Sequence, residues 1–318
     1  MSSGSESGAI ISTHGLTRAF DDQVAVDRLD LTIPAGELFG LIGPDGAGKT
    51  TTLRLLAGLL KVTDGEATVA GFDLISDPEA IKPHIGYMAQ EFSLYAELTV
   101  IENLHFFSDI YDVDPGKVEE RSDRLLTFAG LQEFRDRRAE HLSGGMKKKL
   151  ALACTLIHEP DILFLDEPTT GVDPVSRREF WEILTELNLT GTTILVTTPY
   201  MDEADRCERV GLIYEGRLVI CDSPATIRAS LPGEVLELHP SDWRVAREVV
   251  SDLPGVRQVQ TYGEALHLIV DSVEQRTQEI QSALKKKGLE ILQLKPVAPR
   301  MEEAFIFLID RIERGEQI

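Results

Sequence analysis

The chain has 318 residues, and its 53 acidic against 32 basic side chains give a formal net charge of −21. That excess disfavours a large nucleic-acid or anionic-membrane interface, because either surface requires clustered positive charge. The length suggests about two domains, and a hydrophobic fraction of 42% excludes a disordered or collagen-like chain.

The start of the chain and its cysteines bear on the cellular compartment. Residues 1–9 are rich in Ser and Gly and lack an apolar stretch, which predicts a flexible tail and not a signal peptide. No apolar run in the sequence approaches the ~18 residues of a membrane span. Cys154, Cys207 and Cys221 form no CxxC pair, so we expect reduced thiols in a cytoplasmic protein.

Residues 10–230 alternate short apolar runs with helix-spaced segments, which predicts a parallel sheet covered by helices on both faces. The predicted strands are Glu37–Gly43, Gly65–Phe72, Ile85–Met88, Asp161–Asp166 and Thr192–Thr197. A helix follows the first of these strands, with Leu53, Leu56, Ala57 and Leu60 on one face. From about 91 to 160 the pattern is mostly helical and predicts a helical insertion.

A domain boundary is predicted near Ser230–Gly233. Residues 234–318 then follow the order strand, helix, strand, strand, helix, strand, which is the βαββαβ order of a ferredoxin-like α+β domain. A final amphipathic helix places its apolar residues on one face, namely Met301, Ala304, Phe305, Leu308, Ile309 and Ile312.

Gly43–Thr50 reads GPDGAGKT and fits the phosphate-loop pattern GxxxxGK[ST], between a predicted strand and a predicted helix. The glycines let backbone amides face phosphate oxygens, and the helix N-terminus adds a positive dipole end. Lys49 is expected to reach the β- and γ-phosphates, and Thr50 to bind Mg²⁺. The alternative is a Gly-rich turn with an exposed lysine, which the strand–loop–helix context disfavours.

Asp166 and Glu167 end an apolar strand, at the edge where ligands of open α/β sheets gather. Asp166 could hold Mg²⁺ through its water shell, and Glu167 could polarise the water that attacks the γ-phosphate. By themselves the two acids fit a plain acidic turn equally well, and the phosphate loop is what favours the catalytic interpretation.

Leu142–Met146 reads LSGGM and precedes a helical pattern. Ser143 is expected to cap that helix, and together with the two glycines it forms a second candidate anion site. One nucleotide has a single γ-phosphate, so a second anion-binding loop favours a two-chain arrangement.

Over about residues 10–230 the chain resembles the ATP-binding subunit of an ABC transporter. The motifs that carry the resemblance are, in chain order, the phosphate loop, Gln90, LSGGM, ILFLDEP and Gly171–Asp173. The resemblance implies an α/β fold of the P-loop NTPase class, with a parallel sheet core, an antiparallel β subdomain and the helical insertion. It also implies ATP and Mg²⁺ as ligands, and a second ATPase chain as partner.

The resemblance assigns roles to single residues. Phe20 would stack on adenine, Gln90 would sense Mg²⁺ and the membrane partner, and Asp173 would lie in the loop across the dimer interface. Ser143, Gly144 and Gly145 would close on the partner chain's ATP. The implied nucleotide-binding set is Phe20, Gly43, Asp45, Gly46, Ala47, Gly48, Lys49, Thr50 and Thr51. The implied metal set is Thr50, Gln90 and Asp166. Without the family, Phe20 fits a core aromatic and Gln90 a surface glutamine equally well.

A narrower similarity is to the ATPases of ABC-2 type exporters, including the daunorubicin-resistance group. The segments that carry it are Tyr87–Tyr95, Leu98–Val100, Gly171–Arg178 and Pro299–Phe305. This subgroup implies separate transmembrane permease subunits, with the chain bound at the cytoplasmic face of the membrane. A short helix of such a partner would dock at Glu91–Leu98, where Phe92, Leu94 and Tyr95 could equally be core residues.

Two positions depart from the family pattern. Pro199 stands where the family has a histidine that bonds the γ-phosphate, and losing one such donor costs roughly 10²–10³ in rate. Thr198 and Tyr200 are the nearby groups that could replace it. Asp45 stands for the usual Asn and is expected to point away and shape the turn. The charge run Lys147–Lys149 is expected to be a solvated helix face.

These departures resemble the degenerate half of tandem exporter ATPases. We therefore expect a weakly hydrolysing chain that pairs with a second, histidine-bearing ATPase, while a homodimer that tolerates Pro199 stays open. A non-transport ABC ATPase acting on DNA or ribosomes is disfavoured by the charge, the single cassette and the lack of a heptad run between Lys49 and Asp166. A regulatory module that binds ATP with little turnover is favoured by Pro199 and disfavoured by Glu167.

Overall fold

The computed structural model describes residues 8–91 and 94–315. The chain forms two compact units, and the first ends at Asp222. This division lies before the predicted boundary at Ser230–Gly233, because the helix α8 (Pro224–Ala229) packs against the last helix of the second unit. Residues 1–7 of the predicted tail lie outside the described residues, and Ala9 already begins a strand.

Two sheets organise the first unit. Its described strands are β1 (Ala9–Phe20), β2 (Gln23–Pro34), β3 (Leu38–Ile42), β4 (Asp64–Val69), β5 (Phe72–Asp73), β6 (Ile85–Met88), β7 (Ile162–Asp166), β8 (Thr193–Thr198), β9 (Arg209–Tyr214) and β10 (Arg217–Asp222). The central sheet has the order β10-β9-β3-β8-β7-β6 and is parallel except for β10. Strands β3, β8 and β7 are buried along their whole length. They are adjacent and parallel, so their carboxyl ends lie together at one edge of the sheet.

The second sheet of this unit is antiparallel, in the order β2-β1-β4-β5. The family resemblance implied an antiparallel subdomain, but the apolar pattern did not locate β1 and β2. The register between these two strands shifts at several points, for example between Thr13 and Leu16. Such shifts break the two-residue alternation by which a half-buried strand is recognised in a sequence.

Helices cover the central sheet and form the insertion. They are α1 (Lys49–Leu56), α2 (Pro78–Ile81), α3 (Val100–Ile110), α4 (Pro115–Phe128), α5 (Gly144–Leu156), α6 (Pro174–Leu189) and α7 (Met201–Ala204). Single 3₁₀ turns lie at Lys82–His84, Gln132–Phe134 and Ala139–His141. Helices α3, α4 and α5 make up the predicted insertion, and α3 begins with a capping box between Thr99 and Glu102.

The second unit has the predicted βαββαβ order. After α8 come β11 (Glu234–Pro240), α9 (Trp243–Ser251), β12 (Val256–Tyr262), β13 (Ala265–Val270), α10 (Val273–Lys286), β14 (Ile291–Val297) and α11 (Met301–Glu313). The sheet order is β12-β13-β11-β14, with every neighbouring pair antiparallel. Leu236 and Leu268 point from one face into the core with α9 and α10, while Val235 and Ile269 face the other side near Phe307 of α11.

A buried polar cluster joins α11 to this sheet. His267 is only 1% exposed, and its Nδ1 meets the carboxylate of Glu303, which is fully buried. Its Nε2 lies 3.2 Å from Glu237 Oε2, and Lys295 Nζ lies 2.9 Å from Glu237 Oε1. His267 therefore links Glu303 of α11 with Glu237 of β11 inside the second unit.

Among the residues described, no helix has both the length and the apolar character that a membrane crossing requires.

Candidate functional site

The phosphate loop runs from the end of β3 to the start of α1. Gly43, Gly46 and Gly48 have positive φ angles of 159°, 77° and 106°. A Cβ atom on Gly43 would lie 2.2 Å from the Ile213 carbonyl oxygen, and one on Gly48 would lie 2.4 Å from that of Ala25. Glycine is therefore required at two positions by backbone contacts as well as by conformation.

Lys49 lies inside this loop and is only 5% exposed. Its Nζ donates to the carbonyl oxygens of Gly43 at 2.9 Å and Pro44 at 3.0 Å, and lies 3.6 Å from Glu167 Oε1. The side chain thus folds back over the loop toward the end of β7. This placement differs from the exposed lysine of an ordinary Gly-rich turn.

Asp166 ends β7 and is 1% exposed. Its Oδ1 accepts hydrogen bonds from Thr50 Oγ1 at 2.9 Å and from Thr197 Oγ1 at 2.8 Å. Its Oδ2 is buried and has no hydrogen-bond partner. A buried carboxylate oxygen without a donor, beside a threonine hydroxyl, offers the oxygen ligands that Mg²⁺ prefers, so the residues fit this ion.

Glu167 follows in a left-handed backbone conformation with φ 45°, which is uncommon for a residue other than glycine. Its backbone N–H donates to Thr197 Oγ1 at 2.9 Å. Its Oε2 accepts from Gln90 Nε2 at 3.0 Å and from Thr170 Oγ1 at 3.3 Å. The carboxylate is therefore held from several sides beside Lys49.

These groups border one cleft of about 640 Å³. Its lining residues are Phe20, Gln23, Ala25, Asp45, Gly46, Gly48, Lys49, Thr50, Thr51, Gln90, Glu167, Thr170 and Pro199. Phe20 is 41% exposed, with the Arg18 guanidinium 4.3 Å from its ring centre, so it is not a core aromatic. Asp45 is exposed and lines the cleft, which differs from the expectation that it only shapes the turn.

The two neighbours of Pro199 that could replace a histidine have contacts of their own. Thr198 is fully buried; its hydroxyl donates to Glu203 Oε2 at 2.5 Å and accepts from the Tyr200 backbone N–H at 3.0 Å. The Tyr200 ring lies against the Arg177 guanidinium, 4.7 Å from the ring centre. The Thr198 hydroxyl hydrogen is already used, so it is not available to a phosphate oxygen.

The LSGGM segment opens helix α5 as expected, because Ser143 Oγ accepts a hydrogen bond of 3.3 Å from the Met146 N–H. Ser143 and Gly144 are exposed. Gly145 packs against α6, since a Cβ there would lie 2.4 Å from Ser176 Oγ. Asp173 caps α6 through the backbone amides of Val175 and Ser176. None of these predicted signature and D-loop residues is among the described residues that line the cleft.

A second cavity of about 400 Å³ lies beside Gln90. It is lined by Gln90, Glu91, Leu94, Ala96, Ala139, Glu140, Gly144, Lys147, Lys148 and Ala151. Leu94 is partly exposed and Tyr95 is 47% exposed, so neither is a fully buried core residue. Phe92 lies outside the described residues.

The lysine run after the signature is not uniformly solvated, so that expectation is wrong for two of its three members. Lys147 is exposed. Lys148 is half-buried and donates to the Gln90 carbonyl oxygen at 2.7 Å, and Lys149 Nζ lies 2.5 Å from Glu179 Oε2. A charge run indicates a solvated face on average, but the packing of α5 against neighbouring elements decides each side chain.

Several residues of the site were missed from the sequence. Thr197, Thr170 and Gln23 line or brace the cleft, and the buried Glu203 joins Thr198 to Thr169 through hydrogen bonds of 2.5 and 2.7 Å. The one available signal in the sequence was the pair Thr197 and Thr198, which stands at the end of the predicted strand, just before Pro199. Their partners lie on another strand or helix, so spacing alone did not identify them.

Known protein families match both units of the chain. Residues 26–170 match a family model described as ABC transporter, and residues 223–309 match the C-terminal domain of DrrA1-3-like ATP-binding proteins. The daunorubicin/doxorubicin resistance ATP-binding protein DrrA of Streptomyces peucetius is 41% identical over 233 residues, which cover 73% of this chain and 71% of DrrA. A Nod factor export ATP-binding protein of Sinorhizobium fredii is 38% identical over 96% of this chain and 88% of its own.

The probable multidrug ABC transporter ATP-binding protein YbhF of Escherichia coli is 42% identical over 306 residues, or 95% of this chain. The chain spans about half of YbhF, 52% of its length. Among solved structures, cbiO1 of Clostridium perfringens aligns with a TM-score of 0.65 and 26% identity, over 78% of this chain and 96% of cbiO1. A dimeric ATP-binding cassette bound to ADP and Pi aligns with a TM-score of 0.61 and 26% identity, over 67% and 98%.

The fold and the cleft are those of the P-loop NTPase class. More narrowly, the chain belongs to the ABC transporter ATP-binding family, and its second unit is a DrrA-like C-terminal domain.

Proposed function

We propose that this chain binds and hydrolyses ATP to power an ABC-2 type exporter through separate transmembrane permease subunits. The observation that carries the proposal is the meeting of two distant motifs in one cleft. The hydroxyl of Thr50 and the carboxylate of Asp166 are 2.9 Å apart although 116 positions separate them. Relatives named for multidrug transport, daunorubicin resistance and Nod factor export support export as the direction.

Each group of the cleft has a role in this reaction. The loop amides and Lys49 bind the β- and γ-phosphates of ATP. Thr50, Asp166 and Gln90 would hold Mg²⁺, which neutralises charge on the phosphates when bound. Glu167 accepts a proton from the water that attacks the γ-phosphate, and its bonds to Gln90 and Thr170 orient it. Phe20, at the rim, stacks on the adenine.

The partners in this proposal are a second ATPase chain and the permease subunits. Ser143, Gly144 and Gly145 close on the ATP of the second chain, and Asp173 lies across the same interface. A short helix of a permease subunit binds in the cavity beside Gln90, which places the chain at the cytoplasmic face of the membrane. A relative solved as a dimer with ADP and Pi supports pairing of two cassettes.

A second candidate, a chain that hydrolyses weakly and pairs with a histidine-bearing ATPase, is favoured by one observation. Pro199 lines the cleft without a donor, and the hydroxyl of Thr198 is engaged by Glu203. A phosphate contact would then be missing in this chain's own site. Its signature loop would complete the partner's competent site instead.

Steady-state ATP turnover of the purified chain tests the first proposal, with nucleotide affinity measured in parallel. We expect Mg²⁺-dependent turnover that Glu167→Gln abolishes while ATP affinity stays within about twofold. Turnover that persists in Glu167→Gln contradicts the assigned base. Absence of ATP binding contradicts the proposal as a whole.

Pro199→His separates the two candidates, with Pro199→Ala as the matched control that removes the proline without adding a donor. If the missing donor limits hydrolysis, the histidine variant gains turnover, up to roughly 10²-fold, and the alanine variant does not. Equal turnover in all three proteins favours the self-sufficient homodimer. If only homodimers of this chain are isolated from the native cell, the hypothesis that it pairs with a different, histidine-bearing ATPase is contradicted.

A further inference from the structure

Lys148 connects helix α5 to the segment that carries Gln90. Its Nζ donates a hydrogen bond of 2.7 Å to the Gln90 carbonyl oxygen, 58 positions earlier in the chain. The side-chain amide of Gln90 in turn donates to Glu167 Oε2 at 3.0 Å. Two hydrogen bonds therefore lead from the signature helix to the carboxylate of the cleft.

The Lys148 ammonium lies in an acidic setting. The side chain is half-buried. The nearby carboxylates of Asp166, Glu167 and Glu91 attract its positive charge. The acidic site thus supports the charged donor that holds the carbonyl oxygen, and such charge-assisted bonds are stronger than neutral ones.

Helix α5 also carries the signature loop. Ser143 caps the helix, and Lys148 follows five positions later, roughly 7.5 Å along the axis at about 1.5 Å per residue. Gly145 is packed against Ser176 with no room for a Cβ atom. A helix moves as a rigid element, so a displacement of the loop at its start displaces the Lys148 ammonium as well.

We propose that Lys148 is a positioning residue for ATP hydrolysis. It fixes the backbone at Gln90, so that the Gln90 amide holds Glu167 in the cleft. When Ser143 and its glycines engage the ATP of the second chain, helix α5 carries that engagement through Lys148 to this chain's own carboxylate. The inference rests on the proposed function. It adds Lys148 as the residue that links the signature loop of this chain to Glu167 in its own cleft.

Two variants of Lys148 and one control test this role. Lys148→Met removes the ammonium at similar length, Lys148→Arg keeps a charged donor, and Lys117→Met changes an exposed lysine of helix α4 that lines neither cavity. We expect Lys148→Met to lower kcat about tenfold, the effect of one lost charge-assisted hydrogen bond, with the KM for ATP within about twofold. Lys148→Arg regains most of the rate, and Lys117→Met keeps all of it.

A double variant adds a readout that a merely structural role would not produce. Because Lys148 acts through the Gln90 amide, Lys148→Met lowers kcat no further in a Gln90→Ala background. Additive losses in the double variant overturn the proposal. An unchanged kcat in Lys148→Met alone overturns it too.

Amide hydrogen exchange distinguishes failure of this inference from failure of the proposed function. Without nucleotide, the backbone amides of Gln90 and Glu91 should exchange about tenfold faster in Lys148→Met than in Lys117→Met, because the anchor of this segment is lost. Equal exchange rates overturn the inference whatever the turnover. A wild-type chain without turnover dependent on Glu167 contradicts only the proposed function.

Discussion

The hydroxyl of Thr197 is the group on β8 that braces both acids of the cleft, and Thr197→Val removes it at nearly constant volume. The hydroxyl donates to Asp166 Oδ1 at 2.8 Å and accepts from the Glu167 N–H at 2.9 Å. The side chain is fully buried, so water cannot replace either bond. We expect the variant to lose both stability and turnover.

The size of the loss follows from the two bonds. A hydrogen bond to an ionised carboxylate contributes about 1.5–3 kcal/mol, and Asp166 would keep only its bond from Thr50. The Glu167 N–H also reaches the Thr197 carbonyl oxygen at 3.2 Å, so its loss is smaller. The free energy of unfolding should therefore fall by about 2–3 kcal/mol, and turnover by roughly 10–100-fold, since 1.4 kcal/mol corresponds to a factor of ten.

Urea unfolding and Mg²⁺-dependent ATP turnover measure these two quantities, with Thr197→Ser as the control. The serine variant keeps the hydroxyl and loses only a methyl group, so its turnover should stay within a few-fold of the wild type. If the valine variant is as stable and as active as the serine variant, the bracing argument is refuted. A larger effect at low Mg²⁺ concentration would support the role of Asp166 at the metal.

Three further perturbations test other parts of the structure. Gly48→Ala should abolish ATP binding measured by nucleotide fluorescence, because its Cβ would lie 2.4 Å from the Ala25 carbonyl oxygen; normal affinity contradicts this. Thiol reagents should label Cys221 first, because it is partly exposed while Cys154 and Cys207 are buried, and burial raises the pKa of all three thiols; equal labelling rates contradict this. Contacts with Lys295 and His239 lower the pKa of Glu237 from 4.5 to about 2, so its stabilisation is complete above 4.5 and disappears as the pH falls toward 2. Glu237→Gln should flatten the urea-measured unfolding free energy over that range, and an unchanged slope contradicts it.

The sequence predicted the local structure around the proposed site. A phosphate loop depends on a run of eight residues between a strand and a helix, and Gly43–Thr50 contains all of them. Caps and strand ends are equally local, so the capping role of Ser143 and the βαββαβ order of the C-terminal domain were readable without contacts. Strands β1 and β2 were not located, because shifts in their register interrupt the apolar alternation.

Contacts between elements were decided by the tertiary structure. Strand β8 lies between β3 and β7, with Thr197 opposite Asp166, and this order brings the phosphate loop, the acids and Thr197 together. The order of strands in a sheet follows from how their faces pack, which spacing within a single strand does not encode. The same holds for Thr198, which looked free to replace a histidine and instead donates to the buried Glu203.

By itself, the sequence located the residues on which the proposed chemistry rests: a phosphate loop, two acids at a strand end, a signature segment, and a proline where the family resemblance implies a histidine. The tertiary structure decided which groups contact those residues. Lys148 looked like part of a solvated charge run, yet the packing of α5 beside the end of β6 directs its ammonium to the Gln90 carbonyl oxygen. A hydrogen bond across 58 positions has no signature in local spacing, because it exists only once two separately folded segments lie side by side.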